Sequence, residues 1–225
     1  MNQLRRLTCL AALLATLVPV GAAAQQPPVA GREFTLVSPS QQVDTGKKIE
    51  VIEFFWYGCI HCYHLEAPLK AWLKRKPADV EYRYVPAIFD PVSWGPLARA
   101  YFALDAMGLV EKHHDDIFAA INRDGQKAMV TDPRVLADWL ADRGVDKQKF
   151  LDTYGSFAVN GRTQRAVDMT RGYDVPGTPS LVVDGKYLTG PSMTLNPNNN
   201  VNYERFFQVV DQLIARARKE RAGQK

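Results

Sequence analysis

The sequence predicts an α/β core that is interrupted by an all-helical insertion. Two runs rich in β-branched and aromatic residues, 49–57 and 80–88, are typical of buried core strands. Over residues 92–172 the apolar positions instead recur at three- and four-residue spacing, with Gly and Pro between the segments, which predicts several short helices. Since parallel strands are joined through helices that cover the sheet, this order of elements favours a layered α/β fold.

The elements before the insertion are two strands, a helix and a third strand, the run 80–88. A short first strand is expected within 33–37. A helix is expected from Cys59, because five apolar residues then share one face: Cys62, Leu65, Leu69, Trp72 and Leu73. Pro68 lies inside this pattern and predicts a kink.

The elements after the insertion are a hairpin and a helix. The pair Asp184-Gly185 is a strong turn signal between the strand-like runs 180–183 and 186–188. A final amphipathic helix is expected from Tyr203, after an Asn-rich loop.

Composition limits the classes of function. The chain has 225 residues, of which 46% are hydrophobic and 23% charged, enough for one well-buried core and unlike a disordered chain. The formal net charge is only +4, and no long basic run is present in the sequence. The charges therefore indicate an ordinary solvated surface, not a nucleic-acid interface.

The first 24 residues predict a signal peptide. Arg5 and Arg6 precede the apolar run 7–20, and the small residues 22–24 offer a cleavage site. A retained membrane anchor is the alternative, but the apolar run of about 14 residues is shorter than the roughly 20 needed to cross a bilayer. Cleavage removes Cys9. Export places the remaining chain in a compartment where disulfides persist.

The two remaining cysteines form the C-x-x-C motif Cys59-Ile60-His61-Cys62. Cysteines three residues apart cannot connect distant segments, so the pair is predicted to serve redox chemistry. A dithiol exchanges with a disulfide by thiolate attack through a mixed disulfide. Cys59 is expected at the start of a helix, where free N–H groups and the helix dipole favour an anion. His61 can add a donor or a positive charge, and Cys62 lies closer to the core.

The ionisation of Cys59 is linked to the redox potential. Each unit by which the fold lowers the Cys59 pKa stabilises the thiolate by about 1.4 kcal/mol. Because this stabilises the reduced form, it makes the disulfide more oxidising by about 30 mV for a two-electron couple. A strongly stabilised thiolate therefore predicts a disulfide that is readily passed on.

The segments 53–63 (Glu-Phe-Phe-Trp-Tyr-Gly-Cys-Ile-His-Cys-Tyr) and 175–180 (Val-Pro-Gly-Thr-Pro-Ser) resemble the DsbA family of periplasmic disulfide oxidases. The resemblance extends over essentially the whole mature chain. It implies a thioredoxin-like fold with an inserted all-helical domain. The expected division is a thioredoxin-like domain over 25–91 and 173–225, with the inserted helical domain over 92–172.

The resemblance also implies the roles of individual residues. Cys59 looks like the nucleophile, Cys62 like the resolving thiol, and His61 like the residue that stabilises the thiolate. One departure is Ile60, where some members of the family carry proline, and this leaves the exact redox potential open.

Further implied residues lie outside the motif. Thr178-Pro179 resembles the cis-proline loop that faces the disulfide and binds extended substrates, with an ordinary trans turn as the alternative. Glu53 resembles the partly buried acid beneath the active site, although it could be a strand acid paired with a neighbour. The resemblance implies reduced exported proteins as substrates, a DsbB-like membrane quinone reductase as the reoxidising partner, the periplasm as the location and no cofactor.

Other interpretations of the same residues give weaker predictions. A zinc or copper site would need His64 beside the motif, but helical spacing puts Cys62 and His64 about 200° apart, so no metal site is predicted. Covalent haem attachment needs His at position 63, which is Tyr. His64 is expected at the surface.

Two further residue sets are expected to serve packing. His113 and His114 are expected to be packed or solvated on an insertion helix. Trp56, Tyr57 and Trp94 are expected to be core or rim packing, with a role as substrate anchors as the alternative.

Three rival functions stay open at this stage. A disulfide isomerase usually carries an N-terminal dimerisation domain, for which the segment 25–48 leaves no room. A periplasmic reductant would have a much lower redox potential. A metallochaperone would use the same thiols to hold one ion.

Overall fold

The protein is described by a computed structural model over residues 26–223. The predicted signal peptide, residues 1–24, lies outside the described residues. Within the described range the elements follow the predicted order: two strands, a helix, a strand, five helices, a hairpin and a final helix. None of the helices in that range combines the length and hydropathy that a bilayer span requires.

A five-stranded mixed sheet lies at the centre. Its strands are β1 (Thr35–Leu36), β2 (Ile49–Phe55), β3 (Val80–Pro86), β4 (Ser180–Val183) and β5 (Tyr187–Thr189). Their spatial order is β1-β5-β4-β2-β3, and β2 pairs parallel to β3 and antiparallel to β4. Every residue of β2 is buried, which explains its nearly continuous apolar sequence.

The central strand ends two residues earlier than predicted. The sequence predicts a strand over 49–57, but the backbone turns after Phe55, and the Cys59 N–H donates to the Trp56 carbonyl at 2.9 Å. Tyr57 is 1% exposed and leaves the strand for the core. A Cβ added at Gly58 would lie 2.5 Å from the Trp56 ring, so the turn requires glycine here.

Helix α1 (Ile60–Leu73) connects β2 to β3. It begins directly after the turn, with Cys59 at its N-cap, and it continues through Pro68. Its predicted apolar face is largely confirmed, since Leu65, Leu69 and Trp72 are buried.

The insertion is helical, as predicted. It contains α2 (Gly95–Ala106), α3 (Val110–Asn122), α4 (Pro133–Ala141), α5 (Lys147–Tyr154) and α6 (Phe157–Gly172), with a short 3-10 helix at Lys127–Val130. Three of these helices have side-chain N-caps, Asp132, Asp146 and Ser156, each of which accepts a backbone N–H of the first turn. Such caps hold the short helices at fixed starting points.

The predicted hairpin and final helix are also present. Strands β4 and β5 pair antiparallel around Asp184 and Gly185, whose φ angles of 55° and 67° suit a tight hairpin turn. Helix α7 (Tyr203–Gly223) lies against the sheet, with the Phe207 ring stacked on Trp72 at 5.5 Å.

Two apolar cores form in the described residues. One contains the insertion helices and residues such as Ile52 and Phe54 of the sheet. The other lies between the sheet, α1 and α7, and includes Val51, Leu181 and Phe206. Cys62 is buried in the first core, next to the entry into α1.

Candidate active site

Cys59 is positioned by the turn between β2 and α1. It is the N-cap of α1, with an extended backbone (φ −91°, ψ 114°), and its sulfur accepts the Cys62 backbone N–H at 3.4 Å. The first turn of a helix leaves such N–H groups without carbonyl partners. The strand end therefore delivers a half-buried sulfur to the positive end of a helix.

The two thiols have opposite ionisation properties. A hydrogen bond with the Cys62 side chain is the largest cause that lowers the Cys59 pKa, to about 5, and Thr178 and the backbone N–H groups of Cys62 and His61 contribute, against the effect of burial. Burial raises the pKa of Cys62 well above its usual value, and the negative sulfur of Cys59 raises it further. The site therefore holds a thiolate at Cys59 and a protonated thiol at Cys62.

A proline loop faces Cys59. The Thr178–Pro179 peptide bond is cis, as predicted, and the Thr178 carbonyl oxygen lies 3.4 Å from Cys59 Sγ, from which it accepts a hydrogen bond when the sulfur is protonated. Beside this loop is a cavity of about 340 Å³, lined by residues that include His61, Pro179, Leu195 and Tyr203. An extended segment placed there would lie against the loop, whose Thr178 is in contact with the Cys59 sulfur.

His61 lies beside the site with an exposed side chain. Among the described residues, the His61 backbone N–H is one of the hydrogen-bond donors that lower the Cys59 pKa, but the His61 imidazole is not. The expectation that the imidazole stabilises the thiolate therefore stays a prediction.

Glu53 is completely buried in the middle of β2. The Tyr82 hydroxyl donates to its Oε2, while its Oε1 has no hydrogen-bond partner among the described residues. Burial, the charge of Glu66 and the charge of Cys59 raise the Glu53 pKa well above its usual value. Glu53 is thus paired with a neighbour, Tyr82, by a hydrogen bond, and the direction of its pKa shift favours the neutral form. The expectation that it influences the ionisation of the thiols stays a prediction.

A second buried carboxyl near the thiols, and its neighbours, were not predicted from the sequence. Glu66 lies one helical turn after Cys62 and is 6% exposed. His114 is packed as expected, but it also makes polar contacts that were not predicted. Its Nδ1 lies 2.8 Å from the Tyr57 hydroxyl oxygen, and its Nε2 lies 3.4 Å from Glu66 Oε1. The four-residue spacing of Cys62 and Glu66 was the available signal.

Other residues near the site serve packing, as expected. The Trp56 and Trp94 rings stack at 4.3 Å on the rim, and His64 is exposed. Within residues 26–223, no group of three or more His, Cys, Asp or Glu side chains is arranged to hold a metal ion.

The geometry defines a class of protein. A mixed sheet with a C-x-x-C motif at a helix start, one ionised and one buried thiol, and a cis-proline loop facing the sulfur are the features of a thiol–disulfide oxidoreductase with a thioredoxin-like fold. Helices inserted between β3 and β4 complete the architecture.

Comparison with known proteins identifies the family. The family model described as DSBA-like thioredoxin domain matches residues 50–196. The thiol:disulfide interchange protein DsbA of Pseudomonas aeruginosa is 38% identical over 217 residues, covering 96% of this chain and 97% of the relative. The protein of the same name from Burkholderia cepacia is 40% identical over 168 residues, 74% of this chain and 78% of the relative. The chain belongs to the DsbA family.

Solved structures agree with this assignment. The crystal structure of Pseudomonas aeruginosa DsbA matches with a TM-score of 0.77 at 35% identity, covering 88% of this chain and 97% of that one. The oxidoreductase DsbA from Xylella fastidiosa matches with a TM-score of 0.77 at 32% identity, covering 86% and 100%. The protein is accordingly a disulfide oxidoreductase with a thioredoxin-like fold and a helical insertion.

Proposed function

We propose that this oxidoreductase donates disulfides to exported proteins and that Cys59 is the sulfur that reacts with them. The observation that carries the proposal is the contrast between a Cys59 pKa lowered to about 5 and a Cys62 pKa raised by burial. A thiolate stabilised by the fold favours the reduced protein, so the Cys59–Cys62 disulfide is a strong oxidant. Cys59 is also the more accessible of the two sulfurs.

The reaction follows from these two environments. A client thiolate attacks Sγ of Cys59 in the oxidised protein, the Cys59–Cys62 bond breaks, and Cys62 leaves with the electron pair and takes up a proton. A second client thiolate then attacks the client sulfur of the mixed disulfide and releases Cys59 as a thiolate. The client is oxidised by two electrons and the protein is reduced by two.

The neighbouring residues support specific roles in this reaction. The loop at Thr178 and Pro179 borders the cavity next to Cys59, which supports binding of an extended client segment there. The raised Glu53 pKa favours a neutral carboxyl, which supports a role for Glu53 as proton donor to the departing Cys62 sulfur. The exposed His61 imidazole adds positive charge near Cys59 when protonated.

The setting of the reaction follows from the predicted export. We propose cleavage after residue 24, residence in the periplasm, and reoxidation of the dithiol by a DsbB-like membrane quinone reductase that accepts two electrons. We propose that residues 92–172 form an inserted helical domain and that residues 25–91 and 173–225 together form the thioredoxin-like domain.

Cysteine variants test the assignment of the reacting sulfur. Cys59→Ser is expected to abolish oxidation of a reduced peptide, because no accessible sulfur remains. Cys62→Ser is the matched control: it cannot form the disulfide either, but its Cys59 thiolate should accumulate mixed disulfides with an oxidised peptide. Mass spectrometry of the adducts checks this, and an adduct formed equally well by Cys59→Ser would remove Cys59 from this role.

A glutathione equilibrium separates a donor from a reductant. The proposal expects the Cys59–Cys62 disulfide to be reduced by glutathione mixtures that leave an ordinary structural disulfide intact. A disulfide that resists such mixtures would assign the protein to the reducing direction.

A further inference from the structure

The insertion reaches the active-site turn through the last residue of α3, Asn122. Its Nδ2 donates to the Tyr57 carbonyl at 2.8 Å and to the carbonyl of Phe118, one turn earlier in α3, at 2.9 Å. A side-chain amide nitrogen carries two N–H groups, so these two bonds use both of them. Because both neighbours are acceptors, the orientation of the amide is fixed: the amide oxygen in the same place would face two carbonyl oxygens.

The carbonyl that Asn122 binds lies in the middle of a tight turn. The Cys59 N–H donates to the Trp56 carbonyl at 2.9 Å, and this bond closes a four-residue turn with Tyr57 and Gly58 at its centre. The central peptide of such a turn can face in either of two directions, and the second direction requires a positive φ at the third residue. Gly58 is that residue, and glycine accepts both directions.

The packing of the turn requires the residue that also makes it adaptable. A Cβ added at Gly58 would lie 2.5 Å from the Trp56 ring, so no larger residue fits there. Glycine therefore removes the steric barrier that would otherwise keep the central peptide in one direction. A hydrogen bond to that peptide has to supply the restraint.

Other contacts from the insertion hold the side chains of the turn and not its central peptide. The Trp94 ring stacks on Trp56 at 4.3 Å, and His114 Nδ1 lies 2.8 Å from the Tyr57 hydroxyl oxygen. Within residues 26–223, Asn122 is the one side chain that forms a hydrogen bond with the Tyr57–Gly58 peptide. The direction of this peptide therefore depends on Asn122.

We propose that Asn122 is a positioning residue that holds the Tyr57–Gly58 peptide in one direction and thereby keeps Cys59 at the start of α1. The Cys59 sulfur accepts the Cys62 backbone N–H at 3.4 Å, a contact that depends on Cys59 being the N-cap. A turn that changes direction also moves the residue that closes it. The inserted helices thus take part in the redox chemistry through one amide group, an inference that rests on the proposed role of Cys59.

The loss of the Asn122 donor has a defined consequence. The central peptide would then exchange between its two directions, and the Cys59 thiolate would meet the N–H groups of α1 for only part of the time. An anion that accepts fewer hydrogen bonds is less stable, so the Cys59 pKa should rise. The reduced protein then loses stability, and the disulfide becomes a weaker oxidant.

The thiolate absorbance of Cys59 in Asn122→Leu tests the proposal. Leucine has a similar size but no donor, and the titration midpoint should rise by about one pH unit relative to the wild type. In a glutathione mixture near neutral pH, the ratio of reduced to oxidised protein should fall about tenfold, equivalent to about 30 mV. Asn122→Gln keeps an amide donor and should shift the midpoint less. A wild-type midpoint in Asn122→Leu, or equal shifts in the two variants, would overturn the proposal.

Thr170→Val is the matched control. Thr170 Oγ1 of α6 accepts the Ile88 backbone N–H at 3.0 Å, so it also joins the insertion to the main chain of the core. Thr170 is buried, and its loss should lower the urea midpoint of unfolding. The Cys59 titration should stay unchanged, because Ile88 lies outside the turn. Equal Cys59 shifts in Thr170→Val and Asn122→Leu would indicate a general loosening of the insertion and would overturn the proposal.

NMR of the unaltered protein covers the case in which Asn122→Leu does not fold. The two Asn122 side-chain N–H protons should exchange slowly with solvent, since both are hydrogen-bonded. The Gly58 amide should show no millisecond exchange in relaxation-dispersion measurements, because its peptide holds one direction. Millisecond exchange at Gly58, or rapid solvent exchange of the Asn122 protons, would contradict the proposal.

The failure of this inference can be told apart from the failure of the proposed function. A wild-type Cys59 midpoint near 9.0 would remove the donor function, and the Gly58 measurement would still test Asn122. A wild-type midpoint near 5 that Asn122→Leu leaves in place would remove the role of Asn122 and keep the donor function.

Discussion

Two regions on the same face of the sheet differ sharply in character. Along β2, Ile49 and Val51 lie in an apolar layer with α7, in which Leu181 and Phe206 are fully buried. Two residues further along the same face, Glu53 is just as buried, yet it is a carboxyl group with one unpartnered oxygen among the described residues. We call these the apolar region and the polar region.

The difference indicates what each region contributes. Burial of apolar side chains stabilises the fold by about 25 cal/mol for each Å² removed from water. A buried carboxyl without an ion partner has the opposite effect, so its presence in an apolar layer points to chemistry. The polar region lies where α1 begins, next to the thiols. We infer that stability comes mainly from the apolar region and redox reactivity from the polar region.

A large truncation in the apolar region should have the largest effect on the free energy of unfolding. It also tests whether the two regions are independent. Phe206→Ala should lower the free energy of unfolding by about 3–5 kcal/mol, because it leaves a cavity beneath α7. Urea unfolding measures this change. The thiolate titration of Cys59 in the folded variant should match the wild type, and a shifted titration would show that the two regions are not separate.

A change in the polar region should alter stability in a pH-dependent way. The Glu53 pKa is raised above its usual 4.5, so the folded protein holds a proton that the unfolded chain releases. This contribution to stability is complete below about pH 4.5 and is lost as the pH rises towards the folded-state pKa. Glu53→Gln should therefore gain stability relative to the wild type between about pH 4.5 and 7, by at most about 1.4 kcal/mol per pH unit.

Glu33 provides a matched control of opposite sign. Its pKa is lowered, first by the hydrogen bond from Arg205, so its contribution is present above about pH 4.5 and lost as the pH falls. Glu33→Gln should therefore be less stable than the wild type near neutral pH, and the deficit should shrink in acid. Urea unfolding at several pH values measures both variants, and parallel curves for them would contradict the assignment of Glu53 as the neutral acid.

Loss of an exposed ion pair should change the free energy of unfolding least. Arg218 pairs with Asp79, and both side chains are about half exposed, at 45% and 50%. Arg218→Gln should cost less than about 1 kcal/mol and should leave the Cys59 titration unchanged. Arg205→Gln, which would remove the nearest ion partner of the buried Glu33, should cost more in the same urea experiment. Equal losses would show that burial does not set the strength of these pairs.

The fold was largely predictable from the sequence because local residue patterns indicate most of its helices, strands and turns. The β-branched run at Ile49, the Asp184-Gly185 turn and the helical spacing of the insertion all correspond to elements of the structure. The early end of β2 was not predictable, since it depends on the Trp56 ring lying over Gly58. The helix caps Asp132 and Asp146 had a readable signal that the prediction of helix starts did not use.

The site was predictable only where its residues are close in sequence. The positions of Cys59 and Cys62 follow from one motif and one helix start, and the resemblance to a family pointed to the loop at Pro179. The contact between Glu66 and His114 joins residues 48 positions apart and depends on how α3 packs on α1. Tertiary packing of this kind leaves no local pattern in one sequence.

The proposed disulfide donation depends most on the ionisation of Cys59. Its thiolate absorbance, titrated in the reduced protein with Cys59→Ser as the blank, should show a midpoint near pH 5. Such a midpoint would support a fold that stabilises the thiolate and so makes the disulfide easy to donate. A midpoint near 9.0, the ordinary value of a cysteine thiol, would contradict it.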